Sequence, residues 1–332
     1  MHASITKYIA AGTLVVAACL LPRKTEAQSI SSRVADVRDG RVRMSFASRD
    51  DICGWGNGIS TTSSHSRGQT KSWSPERSED VEYDYDCSEG PARVVLVLRG
   101  GRVERVRSYV GGRWRPASDA TDLGTVSARD AVDYLLGIAN SGSGKAAGEA
   151  IFPTTLADSV DIAPRLAAIA ENESRDDDIR GQAIFWLGQT RTGGTVQYLD
   201  RLYRRIRDED VKDKVIFAMS QQHDTESQDW LINLASASGE SIEMRKKALF
   251  WAGQSRVPFS RLAGIYDRSR ETEMREQLIF VFSQRRESAA IDKLMDIARN
   301  DPSRDLRKKA MFWLGQSKDP KVTAFLTDII TR

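Results

Sequence analysis

A block ending in glutamine is written five times along the second half of this chain, at Gln189, Gln221, Gln254, Gln284 and Gln316, so successive copies lie 32, 33, 30 and 32 residues apart. Three copies are close: DIRGQAIFWLGQ (178–189), EMRKKALFWAGQ (243–254) and DLRKKAMFWLGQ (305–316). After each glutamine come a short polar turn and a second amphipathic run, at Val196–Leu202, Trp230–Leu234, Leu262–Ile265, Ile291–Ile297 and Phe325–Ile329. A helical hairpin of this length cannot bury both of its apolar faces alone, so each unit has to stack on the next. A degenerate earlier unit stands 33 residues upstream, where Ala150-Ile151-Phe152 aligns with Ala183-Ile184-Phe185 and Pro153 takes the place of tryptophan.

The columns of the repeat can be read one by one. Phenylalanine is present in every unit, at 185, 217, 250, 280 and 312; tryptophan follows it in three, with Ala218 and Val281 in the others. Neighbouring helix residues differ by about 100°, so Ile184-Phe185-Trp186-Leu187 points apolar groups nearly all round and predicts a helix buried on several sides. The aromatic pair is therefore read as packing between units, the alternative being an exposed aromatic stripe.

At the front of each unit stand an acid and, two residues on, a base: Asp178/Arg180, Asp210/Lys212, Glu243/Arg245, Glu273/Arg275 and Asp305/Arg307. Acids at helix starts complement the helix dipole, and the bases are expected to reach acids of a neighbouring unit. The glutamines close the first helices, where carbonyls lack helical partners, and are expected to tie one unit to the next. Two residues beyond each glutamine is a cationic or titratable group: Arg191, His223, Arg256, Arg286 and Lys318. In stacked units these five would line one edge, either as ordinary exposed turn residues or as a docking edge for an acidic partner, and they are the candidate binding residues.

Before the repeats the grammar differs. Asp39-Gly40 reads as a hairpin turn ahead of alternating Val42, Met44 and Phe46, and 94–98 with 103–110 across Gly100-Gly101 reads as a second hairpin. Ser127 three residues before Asp130 marks a helix start. The fold class is thus α+β, multi-domain: a leader over 1–27, a small β-rich domain over 28–122, and an all-α solenoid over 123–332. The leader has Lys7, an apolar run from Tyr8 to Leu21 and Thr25-Glu26-Ala27 before the expected cut, the pattern of an export signal. Val16-Ala17-Ala18-Cys19 alternatively resembles a lipobox, which would place a lipid anchor at Cys19. Export to the periplasm or beyond leaves Cys53 and Cys87 as an even pair in an oxidising compartment, so a disulfide between them is expected.

Charge and composition exclude some functions. The chain carries 49 Lys and Arg against 46 Asp and Glu. Removal of the leader takes Lys7, Arg23, Lys24 and Glu26 with it, and a nearly neutral remainder is a poor match to nucleic acid. Beyond the leader only His65 and His223 remain, in no metal-ligating spacing. Ser141-Gly142-Ser143-Gly144-Lys145 has Ala139 where a phosphate loop needs its first glycine and Ala146 where it needs Ser or Thr, and reads as a linker. The acidic cluster of Glu79, Asp80, Glu82, Asp84, Asp86 and Glu89 lacks the glycine and glutamate of an EF-hand loop and reads as a solvated loop. No cofactor or metal is expected.

The span from about 145 to 332 resembles HEAT-like repeats, in particular the short bacterial type of phycobilisome lyase-like proteins. The resemblance rests on Ile179-Arg180 through Leu187-Gly188 and on Leu306-Arg307 through Leu314-Gly315; the second unit departs from it at Lys212, Ala218 and Ser220. It implies an α-solenoid acting mainly as a protein-binding surface, with a lyase-like or other enzyme of that repeat class as the alternative. The paired His-Glu dipeptides of HEAT-like iron hydroxylases are not present, since Ser66 follows His65 and Asp224 follows His223. The expectation is a non-enzymatic interaction scaffold in the bacterial envelope.

Overall fold

The computed structural model describes residues 29–54, 59–61, 81–82, 87–190 and 193–331. The expected leader, Cys19, Arg191, His65 and most of the acidic cluster lie outside them.

The β-rich part is built on a four-stranded sheet. In order across the sheet it runs β7 (Arg102–Val110), β6 (Ala92–Arg99), β1 (Gly40–Phe46) and β9 (Ala120–Thr125), antiparallel except for the parallel pair β1/β9. The hairpin expected across Gly100-Gly101 is β6/β7, and both glycines have positive φ, as its tight turn requires. The hairpin expected at Asp39-Gly40 is not formed. A short helix, α1 (Ile30–Ala35), precedes that turn, and β1 pairs instead with the distant β6, Val42 opposite Leu96. Asp39 accepts a hydrogen bond from the Gly100 amide at 2.9 Å, so the dipeptide ties the start of β1 to the β6/β7 turn. A local turn signal cannot specify which strand completes the pair.

Strand alternation does set the faces. Val42, Met44 and Phe46 turn towards the helices with Val94, Leu96 and Leu98, while Val95 and Tyr109 form a small cluster with Trp114 on the opposite face. Cys53 in β2 (Ile52–Gly54) is bonded to Cys87, which precedes β5 (Ser88–Glu89), the partner of β2. Short β3 (Ile59–Thr61) adds to β2, and β4 (Val81–Glu82) pairs with β8 (Arg113–Trp114).

The sheet is continuous with the helical stack. β9 runs to Thr125, past the boundary drawn at 122, and its chain passes directly into α2 (Ala128–Ser141). The Ser127 hydroxyl accepts from the Asp130 amide at 3.0 Å, the helix start the sequence announces. One apolar core runs from Val34 and Phe46 through Leu135 and Ile151 into the repeats. Next come α3 (Gly144–Glu149), the single turn α4 (Ile151–Thr154) and α5 (Ala163–Glu171). The Glu149 carboxylate receives the Arg105 guanidinium at 2.8 Å and the Val106 amide at 2.8 Å, fastening β7 to α3.

The repeats follow as helical hairpins. First helices are α6 (Asp177–Gln189), α8 (Glu209–Ser220), α10 (Ile242–Gln254), α12 (Thr272–Ser283) and α14 (Arg304–Gly315). Second helices are α7 (Thr195–Arg205), α9 (Thr225–Ser236), α11 (Phe259–Arg268), α13 (Ser288–Asn300) and α15 (Pro320–Thr331). Each first helix packs on the first helix of the next unit, whereas consecutive second helices meet more openly, so the first helices form the tighter, inner layer. None of the helices is long and apolar enough to cross a membrane among the described residues.

The true period of the packing is two units. At Gly188 a Cβ would meet the Cβ and Cα of Ala218 at 2.7 and 2.9 Å, and at Gly253 it would meet Val281 Cγ1 at 2.5 Å. Glycine in units one and three thus admits the side chain of units two and four, which is why tryptophan alternates with Ala218 and Val281. Gly315 in the fifth unit has nothing within 4 Å of that position. Gly188→Ala is expected to destabilise by about 2 kcal/mol through overpacking against backbone. Gly315→Ala is expected to be neutral or to stabilise by up to about 1 kcal/mol through helix propensity. Urea unfolding of the two variants checks this opposition of sign, and equal destabilisation by both would contradict it.

Candidate functional site

The inner layer presents one open face, and the columns of the sequence become rows across it. Ile184, Leu187, Leu249 and Ile279 are buried beneath, but Phe185, Trp186, Phe217, Phe250, Trp251, Phe280 and Trp313 are half-buried and Phe312 is 59% exposed. The expected enclosure on several sides is found, and it stops short of the rings themselves. The neighbouring first helices and the second-helix layer cover three sides, and the fourth remains open.

The rings form a ladder. Phe152 lies 4.9 Å from Trp186, Phe185 stacks on Phe217 at 6.2 Å, Phe217 meets Trp251 edge-on at 4.7 Å, Phe250 stacks on Phe280 at 6.3 Å, and Phe280 meets Trp313 at 5.3 Å. Within units one, three and five each phenylalanine touches its own tryptophan at about 5 Å. The stacked and edge-on contacts alternate with the two-unit period, and both are favourable aromatic geometries. Phe152 joins the ladder from α4, so the degenerate unit belongs to the stack.

On one side of the rings lies the exposed acidic row Asp178, Asp210, Glu243, Glu273 and Asp305. Between that row and the rings, Lys247 pairs with Asp213 at 2.9 Å and Lys309 with Glu276 at 2.5 Å, each linking adjacent units. A hollow of about 300 Å³ is floored by Phe280 and Trp313 and rimmed by Lys246, Lys309 and Glu276. On the other side of the rings come the glutamines, exposed at 189, 254, 284 and 316 and half-buried at 221.

The glutamines do not make the ties expected of them. Gln221 and Gln284 donate to the adjacent Ser220 and Ser283 hydroxyls, each at 3.1 Å. Among the described residues the ties come from the next position in the even units: Gln222 donates to the Gly188 carbonyl at 2.7 Å, and Arg285 to the Gly253 carbonyl at 3.0 Å. That donor was visible in the sequence as the alternation of Thr190, Gln222, Ser255, Arg285 and Ser317, which a single-unit alignment averages away.

Of the candidate edge residues, Arg191 lies outside the described residues; His223, Arg256, Arg286 and Lys318 are all exposed on the turns. His223 and Arg256 share a groove of about 470 Å³ with Gln222 and the start of α7 at Gly194 and Thr195. His223 has φ +60, a left-handed backbone uncommon outside glycine, where the chain turns from α8 into α9. The edge is not purely cationic. Asp224 and Glu226 line the same groove, Glu287 pairs with Arg285, and Asp319 accepts from the Lys321 amide at 2.8 Å. Asp224 caps α9 through the Ser227 amide, and acids of this kind in the turns dilute the row of cations.

The front bases are structural, as expected, though their partners are not the front acids. Arg180 (6% exposed) donates to the Ala170 carbonyl at 3.0 Å, and Arg245 (8% exposed) to the Ala235 carbonyl at 3.2 Å and to Glu271. In units two and four the base instead lies over a tyrosine of the preceding helix. Lys212 sits 4.7 Å from the Tyr203 ring and pairs with Glu240; Arg275 sits 4.6 Å from Tyr266 and pairs with Asp301. The hydroxyls of Tyr203 and Tyr266 donate to those same acids at 2.9 and 2.6 Å. Burial, with the carboxylate contact second, pushes the pKa of both tyrosine hydroxyls well above the ordinary range. The guanidinium of Arg245 holds Glu271 below the usual carboxylate value. These charged groups are paired in struts between units, although the Nε of Arg275 is buried without a hydrogen-bond partner.

Among the described residues, no three His, Cys, Asp or Glu side chains converge as metal ligands. Compared with protein-family models and with curated proteins, the sequence matches none.

Proposed function

We propose that this chain is an exported, HEAT-like interaction scaffold that binds a protein partner along the open face of its first helices, without catalysis of its own. The observation that supports the reading is the ladder of half-exposed rings, running from Phe152 to Phe312 and bordered by an acidic row and by glutamines and turn cations. Aromatic side chains supply large contact area at low entropic cost and dominate binding energetics at interfaces. The flanking charges would set orientation and favour a partner with an apolar centre. The Cys53–Cys87 bond agrees with an oxidising compartment. The groove at His223 and Arg256 is the edge of the same surface where an acidic segment of the partner would lie.

Photo-crosslinking side chains placed at Gln254 and Gln284 are expected to capture the same protein in the native envelope, and one placed at Asn233 on the second-helix layer is not. Charge reversal at Arg256, Arg286 and Lys318 is expected to weaken capture most at low ionic strength. Capture from Asn233 alone would sink the reading, as would turnover of a substrate by the purified chain.

A further inference from the structure

The two ends of the first-helix stack are unlike. At the first, α3 is fastened to β7 through Glu149 and Arg105, and the sheet closes the core. At the other, the face of α14 turned away from α12 is open among the described residues, and Phe312 is the large hydrophobic side chain exposed there.

That face is written in the same residues as two faces that are covered. α6 presents Asp178, Gly181, Phe185 and Gly188 to α8; α10 presents Glu243, Lys246, Phe250 and Gly253 to α12; α14 presents Asp305, Lys308, Phe312 and Gly315. Helical spacing puts each set on one stripe. The acid and lysine pair at the same spacing in the last two, Lys246 with Glu243 at 3.0 Å and Lys308 with Asp305 at 4.0 Å. Phe185 and Phe250 are each stacked by a phenylalanine of the following helix, and Gly188 and Gly253 are each filled by its small apolar side chain. Phe312 has Trp313 of its own helix as neighbour, and Gly315 has open space.

We propose that the outer face of α14 is a docking site for a helix of a partner protein, one whose surface repeats that of α8 and α12. The molecule itself specifies that surface. In α8 it is Lys214, Phe217 and Ala218 with Gln222 beyond the helix end; in α12 it is Gln277, Phe280 and Val281 with Arg285 beyond. The occupant therefore carries a lysine or glutamine, a phenylalanine three residues later, alanine or valine directly after it, and a glutamine or arginine four residues on. Its phenylalanine stacks on Phe312, its small residue fills the space over Gly315, and its terminal donor reaches the Gly315 carbonyl as Gln222 and Arg285 reach those of Gly188 and Gly253. A second copy of this chain does not supply such a helix, because α8 and α12 are already stacked between their neighbours. This surface rests on that reading only where it meets the open face, at Phe312 and Asp305, and it lies beyond Gln254 and Gln284, so failure here leaves the crosslinking result at those two positions standing.

The test uses the full chain and, as probe, a fluorescent helix-stapled peptide of residues 272–286, which carries the α12 face. Saturable binding is expected, weakened at least about tenfold by Phe312→Lys or Gly315→Leu in the chain and by Phe280→Lys in the peptide. Both chain variants should stay folded, because Gly315 has open space around it and Phe312 is mostly exposed, touching Trp313 of its own helix. No saturable binding overturns the proposal, as does binding indifferent to these substitutions. So does self-association of the chain that Phe312→Lys abolishes, since a second copy would then occupy the face.

Discussion

Asp301→Ala is expected to lower the stability of the repeats by about 3–5 kcal/mol, the cost of removing one partner from a buried ion pair. The Asp301 side chain is 2% exposed and joins three elements: it pairs with Arg275 of α12, accepts from the Tyr266 hydroxyl of α11 at 2.6 Å, and accepts from the Ser303 amide ahead of α14 at 2.9 Å. Its loss leaves the Arg275 charge, itself mostly enclosed, over the Tyr266 ring without a counter-charge. Tyr266→Phe removes one hydrogen bond and keeps the ion pair, so about 1 kcal/mol is expected. Hydrogen exchange should localise the larger effect to units four and five, where the strut sits. Equal effects of the two substitutions would show that the ion pair contributes nothing beyond the tyrosine bond.

Loss of the Cys53–Cys87 bond, by reduction or by Cys53→Ser with Cys87→Ser, is expected to cost about 4 kcal/mol in the chain-entropy account of closing a loop of this length. The two cysteines are 34 residues apart, and between them the described strands are only β3 and β4, each three residues or fewer. Among the described residues of that stretch, the ladder that ties it to β2 is the short pairing of Ile52–Gly54 with Ile59–Thr61. The damage should appear first in amide exchange of β2 and β5, and later in β1 and β6, whose core is continuous with α2. Denaturant unfolding with and without reductant measures it, and an unchanged midpoint would show that the sheet holds the segment unaided.

How far the site could be read from sequence depends on which residues are considered. The five phenylalanines were plain as a column, but whether a column lies inside or on an open face is decided by the neighbours, which periodicity does not name. A run such as Ile184-Phe185-Trp186-Leu187 is apolar all round, and the same run would serve a helix enclosed on four sides or on three. The glutamine column drew the eye because it was invariant, whereas the inter-unit ties fell to Gln222 and Arg285, in a position that varies from unit to unit. Variation with a period of two is itself a signal. It reports two kinds of interface, one where glycine admits a neighbour's side chain and one where tryptophan meets a phenylalanine edge.

The amino-acid sequence alone determined the α+β order, the helical hairpins and their number, the cap at Ser127, the β6/β7 hairpin and the pairing of Cys53 with Cys87. Each follows from local chemistry or from a spacing along the chain. Tertiary structure alone decided that Asp39-Gly40 precedes a non-local strand pair, that the aromatic column lies half-buried on one face, that the turn cations are interleaved with acids, and that, among the described residues, the Phe312 face is the open member of a set of three. These depend on which surfaces meet, and burial is a property of the neighbour as much as of the residue.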